Sequence, residues 1–166
     1  MTAATTIDLY KVLRSMLLTL LPTAQVIRGL GNDVPMPVDP FITITLTGQR
    51  RLSTNSHKYV DPISTVGTVD NRQAIAVEFQ VDCFGPESAD WAISISSVWR
   101  DQYATDLFRQ IDAAPLYADN PRMMPFDNSM QNYEQRWITL LTLQFNPSTI
   151  TPMYFFDNLP VTLLEY

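Results

Sequence analysis

The sequence predicts an α+β fold in which a mainly antiparallel β-sheet packs against an N-terminal helix and a central helix. Two stretches with a period of two, Gln73–Phe84 and Arg136–Phe145, predict strands of the sheet. Two stretches with a helical period, Leu9–Leu21 and Trp91–Trp99, predict the helices. With 166 residues, the chain is expected to form a single domain over residues 1–166.

The N-terminal helix is predicted from a capping pattern followed by helical spacing. Thr5 or Thr6 can cap it, and Asp8 lies in the first turn, where a carboxylate favours the positive end of the helix. Apolar residues then recur every three or four positions up to Leu21, and Pro22 ends the helix.

The central strand and helix form the clearest pattern in the chain. On Gln73–Phe84, apolar side chains share one face, and small or polar side chains share the other. Gly85-Pro86 breaks this alternation, and a helical stripe of apolar residues follows. We therefore expect the apolar strand face to pack under the helix through Ile75, Val77, Phe79, Val81, Trp91, Ile95 and Val98.

The other segments are assigned from turn signals and β-branched content. Before the central strand they are the strand Gln25–Arg28, the loop Gly29–Pro40, the strand Phe41–Thr47, the turn Gly48–Asn55, the returning strand Ser56–Ile63 and the turn Thr65–Asn71. After the central helix they are the kink Arg100–Ala104, the helical turn Asp106–Ile111, the extended piece Ala113–Tyr117, the irregular segment Asp119–Met130 and the terminal strand Val161–Tyr166.

The composition is short of charge for a soluble monomer. Charged residues are 17% of the chain, against roughly 25% in ordinary domains. Because the centres of protein interfaces are depleted in charge, this favours assembly over the alternative, a monomer surface rich in Thr, Ser and Gln. The net charge of −6 disfavours a dedicated nucleic-acid-binding protein. We expect no signal peptide, and the apolar run Tyr10–Leu21 is too short to span a membrane.

Patterns typical of catalysis or metal binding are not found in the sequence. A Ser-His-Asp arrangement would need His57, the single histidine, and no Gly-x-Ser-x-Gly motif is present. The single cysteine, Cys83, falls on the apolar strand face and is expected to be an inert buried thiol. The number of Asp and Glu residues alone does not exclude a glycosidase with a catalytic pair of carboxylates, although nothing in the sequence selects a pair. We therefore expect that the protein is not an enzyme and that it binds neither a metal ion nor a cofactor.

Two groups of residues are candidates for contacts with partners, and the first is basic. Arg50, Arg51, His57 and Lys58 hold four of the twelve basic or imidazole side chains within nine residues of a predicted hairpin. The tip of this hairpin is either simply solvated, or it contacts an acidic partner or DNA passing nearby.

The second candidate group is apolar. Met123 and Met124 are adjacent in the irregular segment, where burial as gap-filling side chains is favoured over an exposed, adaptable contact surface. Tyr154, Phe155 and Phe156 lie near the C-terminus, where each is either a contact residue or an ordinary core residue.

Several pieces of the chain, taken in order, carry a family resemblance. They are the Leu-rich helix ending at Pro22, the strand Val77–Phe84, the break Gly85-Pro86, the helix with Asp90-Trp91-Ala92, and then Ala114–Arg122, Glu134–Trp137 and Phe155–Asp157. Their order and spacing over most of the chain resemble the tail (neck) terminator proteins of tailed bacteriophages, and none of them is a catalytic signature.

The resemblance implies a virion protein that forms a ring, usually a hexamer, in the phage neck. Such a ring caps the head-proximal end of the tail tube, ends tube polymerisation and docks to a head-completion or connector protein. The implied partners are further copies of the chain, the tube protein, the connector and, in contractile tails, the sheath. Genomic DNA passes through without sequence-specific binding, no membrane is involved, and assembly takes place in the host cytoplasm.

Two alternatives stay open at this point. One is another head–tail joining component of the same particle, such as a head-completion or tail-tube protein. The other is a cellular binding module or a hydrolase. Within the terminator interpretation, we expect Arg50 and Arg51 to face a protein partner rather than the DNA conduit.

Overall fold

The computed structural model describes residues 5–30, 37, 40–60, 66–127 and 133–154. Within these residues it confirms the α+β fold, because three helices accompany a mainly antiparallel sheet. The helices are α1 (Thr6–Leu20), α2 (Ser88–Trp99) and α3 (Gln102–Arg109). The predicted terminal strand Val161–Tyr166 lies outside the described residues.

Eleven strands are found in the same residues. In chain order they are β1 (Gln25–Arg28), β2 (Phe41–Arg51), β3 (Ser56–Val60), β4 (Val66–Arg72), β5 (Ile75–Phe84), β6 (Ala113–Ala118), β7 (Arg122–Met123), β8 (Phe126–Asp127), β9 (Tyr133–Glu134), β10 (Arg136–Phe145) and β11 (Ser148–Tyr154). The main sheet has the order β1-β2-β5-β10-β6, with β7 beside the start of β10. Only β1 and β2 are parallel among its described neighbours. A small sheet has the order β11-β4-β3, and β8 pairs with β9.

α1 begins at the predicted capping box. The Thr5 hydroxyl accepts a hydrogen bond from Asp8 N at 3.3 Å, and Asp8 Oδ2 accepts one from Thr5 N at 3.1 Å. The helix ends at Leu20, two residues before Pro22. Its apolar stripe is buried in the core through Leu9, Leu13, Met16 and Leu17.

The predicted packing of the central strand under the central helix is confirmed. Val77, Phe79 and Val81 of β5 are fully buried, in the same hydrophobic cluster as Trp91 and Ile95 of α2. Because the strand alternates with a period of two and the helix with a period near 3.6, each places one apolar face against the other.

At its edge this packing differs from the prediction in one residue. Ile75 is half-buried and packs against the cluster as predicted. Val98 is also half-buried, but it is not among the described residues of the cluster or those packed against it. Trp99 is the buried residue at the end of α2; its Nε1 donates a hydrogen bond to Thr142 O at 3.2 Å. Its ring meets that of Phe108 edge to face, with centroids 5.1 Å apart.

The opposite face of β5 is more buried than its polar residues indicate. Asp82 is only 3% exposed, and its carboxylate accepts hydrogen bonds from Arg136 Nη2 at 2.8 Å and from Thr43 Oγ1 at 3.2 Å. Nearby, the rings of Phe41 and Phe84 stack with centroids 4.3 Å apart. A carboxylate is tolerated at this depth because it is both paired and hydrogen-bonded.

The predicted hairpin at Gly48–Lys58 is wrong. β2 does not turn at Gly48 but continues to Arg51, with Arg50 opposite Ala76 in β5. β3 pairs with β4 in the small sheet instead of returning along β2. The polar composition of this segment is a local turn signal, whereas the length of β2 is decided by hydrogen bonding to a long neighbouring strand.

The predicted turn Thr65–Asn71 is also wrong, because β4 runs from Val66 to Arg72. β4 is the middle strand of the small sheet, with β3 on one side and β11 on the other. Its Asp, Asn and Gly residues favour turns, but pairing on both sides satisfies its backbone hydrogen bonds.

Two further boundaries differ from the prediction. The kink after α2 is limited to Arg100 and Asp101, because the Asp101 carboxylate accepts a hydrogen bond from Gln102 N at 2.6 Å and α3 begins there. The segment predicted as irregular, Asp119–Met130, contains the short strands β7 and β8.

Candidate partner interface

The small sheet extends from one end of the main sheet. Its strands continue three neighbouring main-sheet strands, since β3 follows β2, β4 leads into β5, and β11 follows β10. Backbone hydrogen bonds join the sheets here, from Leu52 N to Ala74 O at 2.9 Å and from Gln73 N to Pro147 O at 3.3 Å. None of the small-sheet strands contributes to the hydrophobic core cluster of the described residues.

The strand register divides the small sheet into two faces, because successive side chains alternate. The first, named the Tyr154 face, includes Lys58, Val60, Val66, Thr68, Asp70, Arg72, Ile150, Pro152 and Tyr154. The second, named the His57 face, includes His57, Tyr59, Val69, Asn71, Thr149, Thr151 and Met153. Both β3 and β11 are exposed on both faces.

The Tyr154 face exposes apolar side chains to solvent. Tyr154 is 78% exposed and Ile150 is 68% exposed, and Val60 and Val66 beside them are also exposed. A three-stranded sheet needs a buried hydrophobic face, or a packed neighbour, for its own stability. An exposed apolar patch on a protruding element is therefore typical of a surface that another molecule covers.

A polar network lies on the same face, nearer the main sheet. Asp70 accepts hydrogen bonds from the Ser148 hydroxyl and from Arg72 Nε, the latter at 3.0 Å. The hydrogen bond from Ser148, followed by that from Arg72, lowers the pKa of Asp70 below its ordinary value. Lys58 lies directly opposite Asp70 in β3. The hydrogen bonds of this network join β4 to β11, and one carboxylate lies beside two cations, Arg72 and Lys58.

His57 takes part in a second network on the other face. Its Nδ1 lies 2.7 Å from Asn71 Oδ1, and Asn71 Nδ2 donates to Thr149 O at 3.3 Å and to Thr151 Oγ1 at 3.2 Å. With the Asn71 oxygen as acceptor, Nδ1 of His57 carries the proton. The partner of His57 is thus a structural amide, and the network cross-links β3, β4 and β11.

The two arginines at the end of β2 have different surroundings. Arg51 Nε donates to Ser53 O at 2.8 Å and its Nη2 to Asn55 Oδ1 at 3.3 Å, so it holds the connection between β2 and β3. Arg50 is exposed and lies at the edge of a shallow cavity of about 170 Å³. That cavity is also lined by Gly48, Gln49, Ala76, Val77, Glu78, Tyr117 and Thr142.

The two adjacent methionines are exposed, so the favoured prediction of burial is wrong. Met123 is 50% exposed, and Met124 is similarly exposed although its N–H donates to Arg136 O at 2.9 Å. Met123 lies opposite Trp137 at the start of β10, whereas the small sheet follows the end of that strand. The separation along the strand is roughly 25 Å at 3.3 Å per residue. Met123 and Met124 therefore lie at the opposite end of the main sheet.

Two of the predictions concern the thiol of Cys83 and the groups that could ligate a metal ion. Cys83 is buried, so the predicted burial of this thiol is confirmed, and burial together with the neighbouring Asp82 raises its pKa to about 12. Within the described residues, no three His, Cys, Asp or Glu side chains form a group that could hold a metal ion. No described helix is long and apolar enough to cross a membrane.

Comparison with known families gives the context for this surface. The family model described as phage neck terminator protein matches residues 8–165 of the 166. The chain belongs to the phage neck terminator family. A member of this family is a structural component of the phage neck and hence of the virion, as the resemblance predicts. No curated protein sequence matches the chain.

Sequence reasoning about this neck protein found only part of the candidate surface. Arg50, Arg51, His57 and Lys58 do gather in and beside the small sheet, and Tyr154 lies on β11 in the same sheet. Phe155 and Phe156 lie outside the described residues. The prediction missed the exposed apolar residues Tyr59, Val60, Val66 and Ile150. Only Ile150, between Thr149 and Thr151, shows alternation with polar residues, and alternation does not show that both faces of the sheet are open.

Proposed function

We propose that this neck protein forms a homohexameric ring that caps the head-proximal end of the tail tube, ends tube polymerisation and joins the tail to the head. The observation that supports this most is the small sheet, which is exposed on both faces at one end of the main sheet. In a chain of the neck terminator family, a protruding sheet of this kind suits contacts between subunits and with neighbouring rings.

The proposed mechanism is surface complementarity rather than chemistry. One side of the ring imitates a tube ring and binds the last ring of the tube, whereas the other side lacks the features that recruit another tube ring. Candidate contact residues at two opposite ends of the subunit fit this asymmetry. His57, Lys58 and Tyr154 are at one end, and Met123 and Met124 are at the other.

The partners of the ring are further copies of the chain, the tail tube protein, and a head-completion or connector protein. In a contractile tail, the last ring of the sheath is a further partner. Phe155 and Phe156 are proposed as contact residues with Tyr154. Assembly takes place in the host cytoplasm, and the finished ring is part of the virion.

Genomic DNA passes through this ring without sequence-specific binding. A net charge of −6 would keep the wall of the conduit from holding the phosphates, because like charges repel. Arg50 and Arg51 are exceptions to this charge, and we place them against a protein partner. The position of Arg50 supports that choice, since it lines a cavity that Glu78 also lines. Arg51 lies next to it and holds the turn between β2 and β3.

The direct test combines mass measurement with tail assembly. Native mass spectrometry and negative-stain imaging of the purified protein, alone and bound to tail tubes, should show rings of six copies. In lysates of phage with an amber codon in this gene, tubes should exceed their normal length and lack heads. Tubes of normal length that fail only to join heads would instead identify a head-completion protein.

A further inference from the structure

Exposed charge of opposite sign is concentrated in two separate parts of the described chain. From Arg50 to Arg72, the described residues contain four Lys or Arg side chains and His57, against the single carboxylate of Asp70. From Glu87 to Asp119, six exposed carboxylates accompany only two Arg side chains. The first region is the small sheet and the end of β2, and the second comprises α2, α3 and β6.

The acidic region presents a helical face with exposed apolar side chains. On α2, Asp90, Ile93 and Ser97 are exposed at helical spacing, and on α3 Tyr103 and Asp106 are exposed one turn apart. These five residues are named the α2–α3 face. Ile93 is 56% exposed and Tyr103 is 43% exposed, so the two side chains give this face an apolar part.

The Tyr154 face and the α2–α3 face are complementary in both charge and polarity. Ile150 and Tyr154 provide the apolar part of one, and Ile93 and Tyr103 provide that of the other. Lys58, which is separated from Ile150 by Asp70 of β4 in the same row of the sheet, provides charge opposite to that of Asp90 and Asp106 on the α2–α3 face. An exposed sheet face covered by two helices is also the ordinary layered packing of α+β domains.

We infer that the Tyr154 face of one copy docks on the α2–α3 face of a second copy of this chain. This inference rests on the proposed ring, and it names the surfaces that close it. The two faces belong to different elements, so the contact is heterologous, and repetition of such a contact generates a closed ring or a filament. Opposite charges at its edge fix the orientation of the two copies and speed their encounter.

Charge exchange tests the contact directly. Lys58→Glu should weaken self-association of the purified protein at least tenfold, measured by native mass spectrometry and analytical ultracentrifugation at low salt, because it faces Asp90 and Asp106 with a like charge. Lys58→Glu combined with Asp90→Lys and Asp106→Lys should restore association, since each contact then regains opposite charges. Lys11→Glu is the matched control, because Lys11 is exposed on α1 and lies on neither face.

Disulfide trapping provides a second measurement that does not depend on affinity. The native Cys83 is buried, so cysteines introduced by Ile150→Cys and Ile93→Cys would be the accessible thiols. A chain carrying both substitutions should give covalent multimers under mild oxidation, in the purified protein and in assembled tails. Ile150→Cys combined with Lys11→Cys should stay monomeric on a non-reducing gel.

The outcomes separate this inference from the proposed function. Rings of wild-type mass and affinity in Lys58→Glu, with no trapped multimers, would overturn the docking surface and leave the ring in place. A wild-type protein that stays monomeric both in solution and on tubes would overturn the ring and this contact together. A trapped complex with a different virion protein at Ile150→Cys would assign the Tyr154 face to that partner and overturn the contact between copies.

Discussion

Arg136 donates two hydrogen bonds to one oxygen of Asp82, from Nε at 3.0 Å and from Nη2 at 2.8 Å. The pair joins the start of β10 to the end of β5, and the Asp82 side chain is almost completely buried. Removal of the cation would leave a buried carboxylate with only Gln80 and Thr43 as donors. Arg136→Met should therefore lower the free energy of unfolding by about 2 kcal/mol, measured by urea titration.

The control for this prediction neutralises both partners. Asp82→Asn with Arg136→Met removes the charge together with its counter-charge, and should recover at least half of the lost free energy. A single Arg136→Met variant as stable as the wild type would show that the neighbouring donors are sufficient for Asp82.

Trp99 ties α2 to β10 through its indole N–H and its ring. Trp99→Phe keeps most of the buried aromatic surface but leaves Thr142 O without the bond from Nε1, so we expect a loss of about 1 kcal/mol in unfolding free energy. Trp99→Ala also opens a cavity in the core and should cost about 3–5 kcal/mol. Thermal unfolding followed by circular dichroism measures both. Equal losses in the two variants would contradict this division between hydrogen bond and packing.

The stability of the small sheet should depend on the charge of Asp70. Because its pKa is lower in the folded chain, the ionised form stabilises the fold above the ordinary pKa of 3.8, and this contribution is lost as pH falls through the lower folded value. Ser148→Ala removes the larger cause of the shift, so the Asp70 pKa should rise towards 3.8. A ¹³C carboxyl NMR titration of both proteins measures it. An unchanged Asp70 titration in Ser148→Ala would assign the shift to Arg72.

Arg50 and Arg51 should differ in their effect on tail joining. Arg50→Glu reverses a charge that faces solvent beside the cavity, so it should reduce infectious particles at least tenfold without changing the melting temperature. Arg51→Glu breaks the hydrogen bonds to Ser53 and Asn55 and should also lower the melting temperature. Complementation of phage lacking the gene, with electron microscopy of particles, provides the measurement. Normal joining by the Arg50→Glu protein would count against a partner contact there.

Local patterns were reliable wherever a segment has one strongly apolar face. The strand with Val77, Phe79 and Val81 and the stripe with Trp91 and Ile95 could be predicted because burial of that face follows from its spacing alone. The capping box at Thr5 and Asp8 was predictable for a similar reason, since both partners lie within one turn.

The candidate surface was less predictable because its strands depend on distant partners. β4 has turn-forming residues at Asp70 and Asn71, and only its pairing with β3 and β11 makes it a strand. The basic residues were singled out as one hairpin, yet Arg50 pairs in the main sheet and Lys58 in the small one. No local signal could show that Met123 and Met124 are exposed, because burial is set by what covers them.

The sequence by itself determined the α+β class, the central strand and helix, the capped N-terminal helix and the buried position of Cys83. Each of these depends on short-range spacing, which the order of residues contains completely. Only the tertiary structure decided that β3, β4 and β11 leave the core as a separate sheet with two open faces. Strand pairing and solvent exposure depend on contacts between residues far apart in the chain, such as Lys58 with Asp70 and Asp70 with Ile150, and no local pattern specifies them.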